Sequence, residues 1–396
     1  MSVRRRIRAG VPAFLLFTVA VLGGAGPARA RDGGPPTFPA AGESCVPESP
    51  VVATAESWAQ SRTAAPDVWP LTRGAGMTVA VLDSGVNGRA RGLTGAVRPG
   101  VDVVAGGRGD HDCSGHGTVL AGIVAARPVT GSAFVGIAPD AEILPVRVVD
   151  AKGKVPSGAI AAGVRAATAA GVDVILLGVG TEAAEPGLAT AVAAANARDI
   201  VLIAPVSDGK PSPGSEVAPW FPAADDRVLA VGGVDPAGET TEHPGRRAGL
   251  DLLAPGAGAV SISPGGRGHY VVGGPAVAAA HVAAAAALLR AYRPGMTEAQ
   301  VRRRLESAAE HPLGTWPSPD RGYGTLDLYA AVAALEVGSS PAPANQAEAI
   351  DPPAVPRRDR GPVVAVAVAM GAVATATAGY LCALTVRWGR RRRWHP

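Results

Sequence analysis

Thr78-Val79-Ala80-Val81-Leu82-Asp83-Ser84-Gly85-Val86 runs from β-branched and apolar residues straight into an acid and a glycine turn. A short apolar run bounded by a turn signal reads as a buried strand, here over 78–82. The same alternation continues down the chain. Gly117 to Ala126 reads as a helix, Ile143 to Val149 as a strand and Ser157 to Ala169 as a helix. Val172 to Leu177 is a strand, Leu188 to Ala197 a helix, and Ile200 to Ile203 and Val228 to Val231 are strands. Ala276 to Tyr292 is a long apolar helix. Thr297 to Ala308 is another, with Thr297 as its N-cap. Strands alternating with helices predict an α/β fold, a mainly parallel sheet with helices on both faces. Sites in such folds lie at the carboxyl ends of strands. The chain has no convincing glycine-rich nucleotide fingerprint.

Composition agrees. The 396 residues are 47% hydrophobic and 18% charged, which excludes disorder over most of the chain. Three cysteines are too few for a disulfide scaffold. The net charge of +4 depends on Arg4, Arg5, Arg6 and Arg8 at one end and Arg387, Arg390, Arg391, Arg392 and Arg393 at the other. Without those nine arginines the charge is −5, so the basic balance orients the chain in a membrane and gives no footprint for nucleic acid.

The arginines at the start, the apolar stretch Val11 to Gly26 and Ala28-Arg29-Ala30 form the tripartite pattern of a signal peptide, residues 1–30. Val363 to Val386 is 24 residues without a charge, enough to cross a bilayer. Trp388, Trp394 and the arginine cluster follow it. By the positive-inside rule the C-terminus is cytoplasmic and the body lies outside the cell membrane. The expected organisation is a signal peptide 1–30, an extension 31–70, a globular domain 71–338 and a Pro/Ala-rich stalk 339–362. A membrane helix 363–386 and a basic tail 387–396 complete the single-pass chain. Outside the membrane disulfides persist, so Cys45 and Cys113 are expected to pair, with two free thiols as the alternative.

Two segments carry the chemistry. Asp83 ends the first strand. On its own, an acid there is more often a turn former or a helix cap. His116 lies in Asp112-Cys113-Ser114-Gly115-His116-Gly117-Thr118, between two glycines that let other groups approach it. Together they resemble the D-[ST]-G and H-G-T segments of the subtilisin-like serine proteases, in the family's order. Val135-Gly136-Ile137-Ala138-Pro139-Asp140-Ala141, Phe221-Pro222-Ala223, Leu253-Ala254-Pro255-Gly256 and Gly322-Tyr323-Gly324 resemble further family segments. The resemblance covers roughly Trp58 to Val337. Within the family the chain resembles the mycosins, membrane-anchored subtilases of type VII (ESX) secretion systems. The shared features are both chain ends, the cysteine-bearing extension, Trp69-Pro70-Leu71-Thr72-Arg73-Gly74-Ala75-Gly76 and the cysteine before His116. The resemblance implies a place beside a type VII secretion membrane complex. It assigns Asp83 and His116 as the acid and histidine of a catalytic triad, and implies no cofactor and no metal.

The nucleophile departs from the pattern. The family carries G-T-S-[MF]-A-A-P-H-V-A-G at the start of a long helix. This chain reads Gly274-Pro275-Ala276-Val277-Ala278-Ala279-Ala280-His281-Val282-Ala283. Matching His281-Val282 puts Ala276 at the nucleophile position, and a shift of one or two residues offers no serine. Ser207 stands where the family's oxyanion asparagine would donate, and the substrate-wall S-L-G becomes Gly178-Val179-Gly180. In subtilisin, loss of the serine lowers kcat about 10⁶-fold and loss of the oxyanion asparagine about 10²- to 10³-fold. Alanine has no oxygen or sulfur with which to attack a carbonyl. These changes predict a pseudoprotease, a structural or binding component that holds peptide or protein ligands in a degenerate cleft. The alternative is an active endopeptidase with a relocated nucleophile, Ser84, Ser114 or Ser207. His111, Asp112, Cys113 and His116 include zinc-type ligands, but the disulfide and triad assignments use Cys113 and His116 better.

Overall fold

The computed structural model describes residues 34–40, 44–208, 219–241 and 249–334, and the helix 361–391 with its side chains over 373–389. The signal peptide, nearly all of the stalk and the end of the basic tail lie outside the described residues. The chain divides into two units, Met1–Leu335 and Glu336–Pro396.

The first unit opens with α1 (Trp58–Thr63) and α2 (Ala65–Val68). Then come β1 (Thr78–Asp83), β2 (Val101–Asp102), α3 (His116–Ala125), β3 (Glu142–Arg147), α4 (Ala159–Ala169) and β4 (Val174–Leu177). They are followed by α5 (Leu188–Asn196), β5 (Val201–Pro205), β6 (Val228–Val234) and β7 (Leu252–Pro255). The unit ends with β8 (Ala259–Ile262), β9 (His269–Val272), α6 (Pro275–Tyr292), α7 (Glu298–Ser307) and α8 (Leu328–Ala333). The second unit holds α9 (Gly361–Arg391).

Seven strands form one parallel sheet in the order β2-β3-β1-β4-β5-β6-β7. Residues of each strand alternate between two cores, as the period of two requires. Val79 and Val81 face one core with α3 and α6; Ala80 and Leu82 face the other with α4 and α5. The predicted α/β architecture is therefore observed. β8 and β9 add an antiparallel hairpin that the alternation did not signal.

Three local features fix the frame. Thr297 caps α7 through a reciprocal capping box with Gln300, as its position predicts. α6 packs against β4, β5, β6 and β7, and its many alanines let it lie close to the sheet. With 18 residues and a mean hydropathy of 1.3, α6 is long and apolar enough to cross a membrane, yet 83% of it is buried inside the fold. It is a core helix. α9 has the opposite character, because Val373, Tyr380, Leu381, Leu384, Val386 and Trp388 are all exposed.

The extension preceding the sheet is part of the same compact unit. Ala59, Ala65 and Val68 of α1 and α2 join the core on the α6 side. Upstream, the chain runs along the β8–β9 hairpin. The Phe38 amide donates to Val271 O and the Val271 amide donates to Pro36 O, both at 2.8 Å. The Tyr270 hydroxyl donates to Pro47 O at 2.9 Å. Cys45 and Cys113 are joined by a disulfide, which ties this extension to the segment before α3.

Candidate functional site

β1 delivers Asp83 at its carboxyl end, and α3 begins with His116 directly over it. The approach is close because Gly117 has no side chain: a Cβ there would overlap Gly85 O. Gly178, after β4, is small for the same reason, since a Cβ would overlap Asp83 Oδ2. Nδ1 of His116 lies 3.0 Å from Oδ1 and 2.9 Å from Oδ2 of Asp83. The carboxylate also accepts the Ser84 amide at 2.7 Å. Asp83 is buried, whereas the His116 side chain is 38% exposed. With Nδ1–H donating to the carboxylate, Nε2 is left for the cleft.

Electrostatics favour the charged ring. Burial pulls His116 down, but the Asp83 carboxylate and its hydrogen bond, with Asp112 behind them, raise it above the usual histidine range.

Behind this pair lies a second network that the sequence reading did not assign. Gly115, the N-cap of α3, has no side chain to cap the helix. Asp112 does so from outside. Its carboxylate accepts the Gly115 amide at 2.8 Å, the Thr118 amide at 2.9 Å, the Thr118 hydroxyl at 2.6 Å and the Ser84 hydroxyl at 2.9 Å. Burial raises Asp112 above the ordinary carboxylate range. A glycine at the N-cap with an acid three residues upstream was the available signal.

A cleft of about 610 Å³ opens beside His116. Its lining brings together Asp83, His116, Ala276, Ser207 and Gly178, the positions singled out from sequence. Phe38, Lys154, Val155 and Trp220 also line it and were not foreseen. Ala276 occupies the first turn of α6 and presents only a methyl group. His281, one turn and a half further along, is a buried core residue. Its Nδ1–H donates to Val277 O at 2.8 Å, and burial pushes it down to about 4, so it is neutral.

The serines differ in what they can do. Ser84 is buried and its hydroxyl proton goes to Asp112, while its oxygen accepts the Gly117 amide at 3.1 Å. Ser114 lines the cleft and donates to Asp112 Oδ1 at 3.3 Å. Ser207 is buried at the cleft wall. Upstream of Ala276, Ser261 donates to Val119 O at 2.7 Å and Ser263 accepts the Ser49 amide at 3.0 Å. Cys113 is committed to its disulfide and offers no thiolate to a metal.

Residues 74–329 match the family model described as the subtilase family. Mycosin-1 of Mycobacterium tuberculosis (strain ATCC 25618 / H37Rv) is 32% identical over 374 residues, covering 79% of this chain and 82% of that protein. Mycosin-4 of the same organism is 35% identical over 307 residues, and the match spans 66% of its length, just under two thirds. Among solved structures, MycP1 from the ESX-1 type VII secretion system superposes with a TM-score of 0.64 at 27% identity, covering 77% of this chain and 93% of that one. MycP3, a protease from the ESX-3 type VII system, gives a TM-score of 0.61 at 27% identity, covering 75% and 91%. The sheet order, the Asp83–His116 pair at the carboxyl end of β1 and these matches lead to one conclusion: the chain belongs to the subtilase family, with mycosins among its relatives.

Proposed function

We propose that this protein is a mycosin-like subtilase homologue that does not cut peptides and serves as a structural or binding component of a type VII secretion system. The observation that carries the reading is Ala276. It lines the same cleft as Asp83 and His116, on the first turn of α6, and has no atom that could attack a carbonyl. The acid and histidine are paired, but no hydroxyl on α6 is there for them to activate. Solved MycP1 is described as an essential component of the type VII (ESX-1) secretion system, and the likeness supports the same setting here.

The proposed topology has a cleaved signal peptide over 1–30, the subtilase body outside the cytoplasmic membrane, a single span over 363–386 and a cytoplasmic basic tail. α9 supports it: the helix covers the uncharged run, and from Val373 to Trp388 its large apolar side chains are exposed. The Cys45–Cys113 disulfide suits an exported body.

The test is labelling of the full-length chain in membranes with a fluorophosphonate, which reacts only with an activated serine. The native chain stays unlabelled and Ala276→Ser becomes labelled. Labelling of the native chain overturns the reading, and peptide mapping would then identify the relocated nucleophile of an active endopeptidase. Ser84, Ser114 and Ser207 all line the cleft, and because the Ser84 hydroxyl is held between Asp112 and the Gly117 amide, Ser114 and Ser207 are the first positions to map.

A further inference from the structure

We propose that the cleft is a receptor for a peptide carboxylate, bound by Nε2–H of His116 in the space that faces Ala276. The inference rests on the reading that Ala276 leaves the cleft without a nucleophile.

Asp83 takes the other ring nitrogen with both of its oxygens, which fixes the orientation of the imidazole. Nε2 has no partner among the described residues, and the ring is half-exposed at the cleft wall. The buried Asp83 charge holds the ring toward its protonated form. A carboxylate arriving at Nε2 favours the protonated ring further, and in that form both nitrogens donate. A hydroxyl on α6 would be a neutral acceptor; the methyl of Ala276 is none. An anionic oxygen in that space makes a charge-assisted bond, roughly twice as strong as a neutral one.

Among the described lining residues the remaining charges are Lys154 and Asp208, which are of opposite sign, and Asp83, which is paired with His116. The first turn of α6 carries no side-chain cap, so the positive end of an 18-residue helix adds to the attraction. Val155 and the Gly178-Val179-Gly180 segment supply a low wall along which an extended chain can lie. A cavity of about 610 Å³ is large enough for several residues of peptide. The carboxylate could be a chain terminus or an Asp or Glu side chain, and the experiment separates the two.

The full-length chain in detergent micelles is titrated with three fluorescent hexapeptides of one small, apolar sequence. One ends in a free acid, one in an amide, and one is amidated with a single internal Glu. The free acid is expected to bind about tenfold tighter than the amide, a difference of about 1.4 kcal/mol. His116→Gln should remove most of that preference while the protein still unfolds cooperatively, and Ala276→Leu should weaken all three probes by filling the cleft. Tight binding of the Glu probe alone assigns the carboxylate to a side chain and upholds the receptor. Affinity for both carboxylate probes no greater than for the plain amide overturns the proposal, as does a preference that survives in His116→Gln or the absence of binding to any probe. Mass spectrometry of the recovered probes reads the underlying assumption separately. Cleaved peptide would defeat the non-cutting reading, whereas intact peptide with no preference for either carboxylate probe would defeat only the carboxylate receptor.

Discussion

The two walls of the cleft are built to different standards. On the α3 wall each polar group described, apart from Nε2 of His116, has a defined partner. His116 bonds Asp83, Ser84 bonds Asp112, and Asp112 caps the helix by accepting the Gly115 amide, the Thr118 amide and the Thr118 hydroxyl. On the α6 wall the lining is Gly273, Gly274, Pro275 and Ala276, with no side-chain hydroxyl and no side-chain cap. A residue kept for chemistry alone would be free to drift once its partner is gone. The α3 wall also performs structural work: it joins β1 to α3 and, through Cys113, anchors the extension. Ala276 has no such second duty, because a methyl satisfies the packing of the first turn of α6 as well as a hydroxyl would. On the proposed non-cutting reading, the contrast accounts for an acid–histidine pair retained opposite a wall that offers no hydroxyl.

If the α3 wall is structural, damage to it must cost stability. The largest loss is expected for Cys45→Ser with Cys113→Ser. The bridge spans 68 residues, which corresponds to about 4 kcal/mol of unfolded-state entropy on the chain-entropy model. Chemical denaturation of the oxidised protein and the double variant measures it, and a loss under about 1 kcal/mol would mean the extension is held by its other contacts. Asp112→Ala comes next. It strands the buried amides of Gly115 and Thr118, and each stranded donor costs about 1–3 kcal/mol. The same denaturation series on Ala276→Ser, whose added hydroxyl opens onto the cleft, should show a smaller loss than either of these. Equal losses on both walls would erase the distinction.

How much of this could be read from the sequence follows the range of the interactions. The parallel sheet was legible because Thr78 to Leu82 and Val174 to Leu177 are short apolar runs buried on both faces, and such runs signal strands locally. The β8–β9 hairpin was not: Ala259–Ile262 and His269–Val272 carry serine and histidine whose partners, Val119 O and the Ala53 amide, lie far away in the chain. The site shows the same division. Asp83, His116 and Ala276 were found from short segments around them, and the fold brings them to one cleft. The cap supplied by Asp112 was missed because it acts on a helix whose own N-cap is a glycine. Phe38 and Trp220 reach the cleft from remote segments, and no local pattern announces that.

The smallest expected effect concerns pH and probes the α3 wall at its exposed edge. His116 is raised in the folded chain, while in the unfolded chain it titrates near 6.5. A raised histidine stabilises the fold fully below the unfolded value, and that contribution is lost as pH rises through the folded value. Thermal unfolding midpoints should therefore fall between pH 6 and pH 8. Other groups act in the same window. Glu306 is pushed up to about 7 by burial, with Asp251 and Glu298 nearby, and it too stabilises less as pH rises. Asp83 and Asp112 face His116 and remain in the variant. The quantity to compare is thus the difference between the native chain and His116→Gln, which cancels the Glu306 contribution. The native chain should lose more on going from pH 6 to pH 8 than His116→Gln does. Identical slopes would show that the Asp83–His116 pair adds nothing to the fold, and the structural account of the α3 wall would then rest on Asp112 and the disulfide alone.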